Sequence, residues 1–136
     1  MKILVSVSDK TGLVDFINKL MKHYSDLEII STSGTANYLK EHNINTIEVS
    51  DYTSFPEILN GRVKTLHPKI FGGILSKKDS NDHNNDIIRH NIKKIDMVIC
   101  NLYEFEKVIN SKNFDHDDAI ENIDIGGSAI LRAAAK

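Results

Sequence analysis

The chain has 136 residues, of which 17 are basic and 19 acidic, for a formal net charge of −2, and it contains a single cysteine. That length suits one domain whose core needs no staple, and a lone cysteine forms no internal disulfide. Near-balanced charge argues against a general nucleic-acid binder, and no apolar run approaches a membrane span. Lys2–Ser8 meets Asp9 and Lys10 after only a few apolar residues, unlike a secretory signal. A reducing, cytoplasmic setting is the expectation.

Lys2–Val7 is aliphatic and β-branched, which predicts a buried strand. Leu13, Phe16, Ile17, Leu20 and Met21 recur at helical spacing, with Asp9 or Thr11 placed to cap the start. Leu27–Ser31 predicts a second strand, Thr35–Glu41 a helix with Tyr38 and Leu39 inward, and Thr46–Val49 a third strand. Residues 51–68 hold Pro56 and Pro68 and predict one short helix around Phe55–Leu59. In Lys69–Leu75, Gly72 and Gly73 imply that any strand is interrupted or closely approached by other backbone. Ser76–Asn85 is polar and reads as a solvated loop, before a helix through Ile87, Ile88 and Ile92. Met97–Leu102 is the expected best-buried strand, and Phe105–Ile109, Asp117–Ile123 and Gly127–Lys136 predict helices. Strands and helices in alternation, the strands apolar throughout, predict an α/β fold of three layers. Its sheet is mostly parallel, with helices on both faces. No linker or internal repeat divides residues 1–136, so a single domain is expected.

Ligands of open α/β sheets bind beyond the carboxyl ends of the strands. After the first strand comes Ser6-Val-Ser-Asp-Lys-Thr-Gly12, and after the second Ser31-Thr-Ser-Gly-Thr35. Each is a hydroxyl-rich turn opening a helix, which alone is an ordinary cap. Two in succession, one carrying Lys10, suggest an anion site, because helix N-termini offer free N–H groups and partial positive charge. Asn60–Pro68 gathers Arg62, Lys64 and His67 in a Gly/Pro-bounded loop, which taken alone reads as solvated surface. Asn101 and Tyr103 end the last strand near the same rim. Asp124 precedes Gly126 and Gly127, glycines that permit close backbone approach to a ligand. The six histidines are scattered with no metal-site spacing, and Cys100, within a predicted strand, reads as inert packing.

Together, Ser8-Asp-Lys-Thr-Gly12, Gly61-Arg-Val-Lys-Thr-Leu-His-Pro68, Asn101-Leu-Tyr103 and Ile123-Asp-Ile-Gly-Gly127, followed by Leu131-Arg-Ala-Ala-Ala-Lys136, resemble the IMP cyclohydrolase domain. That domain is the N-terminal part of the bifunctional purine-biosynthesis family that joins it to AICAR formyltransferase. The resemblance runs from about Ile3 to the last residue. It implies a methylglyoxal-synthase-like fold, a homodimer, and metal- and cofactor-free closure of FAICAR (5-formamidoimidazole-4-carboxamide ribotide) to IMP. It places phosphate binding on Ser8, Lys10, Thr11, Thr32, Gly34 and Thr35. Catalysis falls on Lys64, Tyr103, Asp124 and Lys136, with Arg62, Thr65, Asn101, Ile125, Gly126 and Gly127 lining the nucleotide. No nucleic-acid or membrane partner is implied. Ser33 stands where the family usually has glycine, Phe71 where histidine is common, and Glu104 where proline is usual. Relative to the family the domain is expected to be C-terminally truncated, with no formyltransferase domain. Two other readings stay open: methylglyoxal synthase, with Asp9 as the candidate catalytic aspartate, and a nucleotide-binding module without turnover.

Overall fold

Ile3, Leu4 and Val5 are wholly buried, because the strand they form, β1 (Lys2–Ser6), lies inside the sheet with helices over both faces. The computed structural model describes residues 1–136. After β1 come α1 (Leu13–His23), β2 (Glu28–Ser31), α2 (Ser33–Glu41), β3 (Ile47–Glu48), α3 (Val49–Thr53), α4 (Pro68–Leu75) and α5 (Asn81–Arg89). The chain continues through β4 (Met97–Cys100), α6 (Phe105–Ile109), α7 (His116–Glu121) and α8 (Ile125–Ala135). The sheet runs β3-β2-β1-β4, and all of its pairings are parallel. Ile3 pairs with Ile29 on one side and Met97 on the other.

Successive strand residues point to opposite faces, and the core divides accordingly. Ile3 and Val5 pack with Leu13 and Ile17 of α1 and Leu39 of α2. Leu4 and Ile30 pack with Val49 of α3, Ile70 of α4 and Ile130 of α8. This is the expected three-layer α/β architecture. No helix is long and apolar enough to cross a membrane.

Several local expectations are corrected. Lys69–Leu75 is not strand but helix: Pro68 sits at its first turn and His67 Nδ1 accepts the Lys69 N–H at 3.1 Å, capping it. The close approach foreseen at Gly73 is present, since a Cβ there would lie 2.6 Å from the Lys93 carbonyl oxygen. The short helix near the prolines is α3, and Phe55–Leu59 is irregular chain leading into a tight hairpin paired at Ile58 and Val63. The polar stretch before Ile87 is half helix, because the Ser80 hydroxyl accepts the His83 N–H and starts α5 at Asn81; α5 then ends at Arg89, before Ile92. Met97–Cys100 is an edge strand and only partly buried throughout, so β1 is better buried than the expected β4. Neither Asp9 nor Thr11 caps α1. Gly12 does so in a left-handed conformation (φ 74°), while Asp9 Oδ1 accepts the Thr11 N–H at 2.9 Å.

Candidate functional site

Chain order runs outward from β1 to β3 and then returns to the opposite side at β4, so the β1–β4 seam is the topological switch point. Crevices at such points hold ligands in open α/β sheets. A cleft of about 550 Å³ opens there, at the carboxyl ends of β1, β2 and β4. Ser8 and Lys10 reach it from the loop after β1, and Thr32, Gly34 and Thr35 from the start of α2. Arg62, Lys64 and Thr65 come from the hairpin and the loop after it, Asn101 and Tyr103 from the end of β4, and Asp124, Ile125, Gly126 and Gly127 from the start of α8. Residues spread over most of the sequence are thereby collected on one rim.

Two expected site residues are not brought there. Thr11 is exposed and outside the lining. Lys136 follows the far end of α8, whose eleven residues rise about 16 Å from the end that lines the cleft. Its side chain does not reach the cleft of its own chain.

The α2 end is open to an anion. Thr32 caps α2 without a side-chain hydrogen bond, and the N–H groups of Ser33, Gly34 and Thr35 find no acceptor in the protein. Free N–H groups at a helix start, with the dipole behind them, suit an anion. The Thr35 hydroxyl is already engaged, lying 3.3 Å from both the Val7 N–H and the Val7 carbonyl, so Thr35 offers its backbone rather than its hydroxyl. The second expected helix terminus is absent. The α1 start lies outside the lining, and the first loop instead contributes Ser8 and Lys10, whose Nζ donates to the Ser8 carbonyl at 3.2 Å.

Asn101 closes the seam itself. Its Oδ1 accepts the N–H groups of Ser8 (2.6 Å) and Asp9 (3.2 Å), and its Nδ2 donates to the Asp9 carbonyl at 2.7 Å. With both ends of the amide engaged, Asn101 fixes the first loop.

Asp124 caps α8, its Oδ1 accepting the Gly127 N–H at 2.7 Å. The glycines there serve protein contacts. A Cβ on Gly126 would lie 2.8 Å from Thr65 Oγ1, and one on Gly127 would lie 2.8 Å from both Asp124 Cγ and Leu102 Cδ2. The close approach expected from a ligand is thus made by the neighbouring loop and by the cap. The N–H groups of Ile125 and Gly126 and the second oxygen of Asp124 have no partner within the protein.

Burial, and secondarily the Asp124 charge, push the Cys100 thiol up to about 11. Burial beside Lys69 lowers His67. No group of three or more His, Cys, Asp or Glu comes together as a metal would require.

Glu121 and Glu57 were missed from the sequence. Glu121, at the end of α7, pairs with the Arg62 guanidinium across the rim, its Oε2 3.2 Å from Nε. Glu57 accepts a hydrogen bond from the Ser33 hydroxyl. Neither contact has a sequence signal, since each joins segments with no shared periodicity.

Residues 12–129 match the family model described as the MGS-like domain. The chain belongs to the MGS-like domain family. This MGS-like domain is 53% identical over 135 residues to the "Bifunctional purine biosynthesis protein PurH" of Thermoanaerobacter sp. (strain X514), covering 99% of this chain and 26% of that protein. It is 55% identical over 133 residues to the protein of the same name from Prochlorococcus marinus (strain MIT 9211), covering 98% of this chain and 26% of the relative. The MGS-like domain therefore spans about a quarter of the length of these curated relatives. Among solved structures it superposes on the crystal structure of ForH with a TM-score of 0.82 at 30% identity, covering 99% of this chain and 67% of that one.

Proposed function

We propose that this MGS-like domain is an IMP cyclohydrolase of purine biosynthesis, closing FAICAR to IMP with loss of water. One observation carries the reading: a single cleft is lined at one end by an uncapped helix start with Lys10, and elsewhere by Lys64, Tyr103 and Asp124. A phosphate fits the first set, and a formamide and a carboxamide fit the second. The relatives' name, which places them in purine biosynthesis, supports the same reading.

In this mechanism the carboxamide nitrogen attacks the formyl carbon. A neutral amide is a poor nucleophile, so holding the two groups in near-attack geometry supplies much of the rate. The formyl oxygen gains negative charge as the C–N bond forms, and Lys64 with the free N–H groups of Ile125 and Gly126 stabilises it. Asp124, oriented by its cap, takes the amide proton on its free oxygen as the oxyanion is protonated to a hydroxyl. Tyr103 or Lys64 then delivers a second proton as the C–O bond breaks, and the remaining N–H proton is lost as the ring C=N forms, so that the oxygen leaves as water. Arg62, Thr65 and Asn101 complete the wall, Asn101 by holding the phosphate loop. The family resemblance adds a homodimer in the cytoplasm to the proposal. Methylglyoxal synthesis gains no support, since Asp9 lies outside the cleft lining with its carboxylate engaged by Thr11.

The test is a spectrophotometric cyclisation assay on the parent and Lys64→Ala, with IMP binding measured by calorimetry. Loss of a group aimed at a developing oxyanion lowers kcat by about 10²–10³, with IMP binding retained. Cyclisation by Lys64→Ala at the parental rate overturns the assignment. A parent that binds IMP without turnover makes the domain a binding module.

A further inference from the structure

Glu57 lies outside the cleft lining and reaches both the start of α2 and the hairpin at Gly61. It follows α3 in the irregular chain before the hairpin, and one of its carboxylate oxygens accepts the Ser33 hydroxyl at the first position of α2. Its other oxygen lies 3.6 Å from the point a Gly61 Cβ would occupy, and Lys64 Nζ lies 3.4 Å from that same point. The carboxylate and the ammonium are thus near neighbours. Yet Lys64 forms no ion pair and no hydrogen bond in the protein, whereas Lys2, Lys40, Arg62 and Lys107 are all paired. Opposite charges within reach of one another attract. The Ser33 hydrogen bond supplies the restraint, because a hydrogen bond to a charged acceptor is stronger than one between neutral groups.

We propose that Ser33 is a positioning residue that holds the Glu57 carboxylate away from Lys64, keeping that ammonium free for a ligand in the cleft. A glycine at this position would have no hydroxyl to offer, so the restraint depends on the Ser33 side chain. Ser33→Ala frees Glu57 to swing onto Lys64 and pair with it. A partly exposed pair of this kind is worth only modest free energy, so the availability of Lys64 falls by about three- to fivefold.

The test has a chemical arm and a kinetic arm, and only the kinetic arm rests on the cyclohydrolase reading. In the first, trace acetylation by acetic anhydride is followed by mass spectrometry, with Lys64 measured against the exposed Lys19 of α1 as internal reference. Ser33→Ala and Ser33→Gly slow labelling of Lys64 about three- to fivefold relative to Lys19. Ser33→Thr, which keeps a hydroxyl, labels as the parent does. In the double variant Ser33→Ala/Glu57→Gln the carboxylate is gone, and labelling returns to the parental rate. In the kinetic arm kcat follows the same order while the melting temperature does not. Unchanged labelling in both Ser33→Ala and Ser33→Gly overturns the proposal, as does a double variant as slow as the single. A parent without turnover bears on the cyclohydrolase reading alone, since the labelling order stands or falls by itself.

Discussion

Asn101 makes the sharpest test of how the cleft is assembled. Its amide engages three backbone groups of the loop after β1, at 2.6, 3.2 and 2.7 Å. Replacement by alanine removes all three contacts. A typical intramolecular hydrogen bond contributes about 0.5–1.5 kcal/mol net. The two contacts to Asp9 are exposed, so water replaces them readily, and the part-buried Ser8 contact carries most of the loss. The sum is about 1.5–2.5 kcal/mol of destabilisation. For a domain of this size each kcal/mol moves the melting temperature by about 3–5 °C, so Asn101→Ala melts about 5–12 °C below the parent. Asn101→Asp retains an acceptor for both N–H groups but turns an oxygen toward the Asp9 carbonyl, losing one hydrogen bond and adding repulsion. It falls between parent and alanine. Thermal melts by circular dichroism check the order, and calorimetry with IMP checks the function, because a loosened Ser8–Lys10 loop weakens the end of the cleft proposed to take the phosphate. An alanine variant that melts with the parent refutes the view that this side chain holds the switch-point loop in place.

Gly127→Ala gains about 1 kcal/mol of helix propensity but drives a methyl to 2.8 Å from Leu102 Cδ2 and Asp124 Cγ. Overpacking costs about 1–3 kcal/mol and the lost Asp124 cap about 1; urea unfolding therefore shows net destabilisation, and a stabilised variant contradicts the packing. His67 caps α4 only while Nδ1 is unprotonated, and burial beside Lys69 holds it below its ordinary value of 6.5. As pH falls through that value the unfolded chain takes the proton first, so this contribution is full above 6.5 and declines toward the lower folded value. His67→Asn keeps a capping acceptor and removes that slope, as urea midpoints on either side of the window reveal. The Cys100 thiol, raised to about 11, stays protonated at neutral pH. Iodoacetamide modifies it far more slowly in the native protein than in urea, and equal rates would exclude the buried setting.

The sequence made the sheet legible because β1 and β2 are apolar at adjacent positions, a pattern that only helices on both faces satisfy. It misjudged β4 for the same reason in reverse. Met97–Cys100 is as apolar as β1 but occupies the edge, and strand order is a tertiary fact that composition does not carry. The α4 helix was hidden by Gly72 and Gly73, poor helix formers kept because Ile92 and the Lys93 carbonyl press against them. At the site, the turns and motifs picked out most of the residues that line the cleft, Thr11 and Lys136 excepted, but not the contacts these make within the protein. Asn101 and the Thr35 hydroxyl turn inward to hold loops, and Gly126 and Gly127 make room for Thr65 and Asp124. Glu57 and Glu121 act through contacts across the fold that no local pattern announces.

Sorting the polar groups of the cleft by whether the protein already satisfies them narrows what it accepts. Asn101, the Thr35 hydroxyl, the Gly127 N–H and one Asp124 oxygen are engaged. Arg62 is engaged too, but by an exposed pair with Glu121 that contributes at most about 1 kcal/mol and yields to a competing anion. Among the groups that remain open are the N–H groups at the starts of α2 and α8, the Lys64 ammonium and the Ser8, Thr65 and Tyr103 hydroxyls, set against one free Asp124 oxygen. A site so rich in donors favours a ligand made mainly of acceptors, anionic at the α2 end and offering a hydrogen to Asp124 near α8. A ribotide with a phosphate at one end and a carboxamide beside a formyl oxygen at the other has that distribution. An uncharged nucleoside lacks the anionic end and leaves three free N–H groups of α2 unanswered.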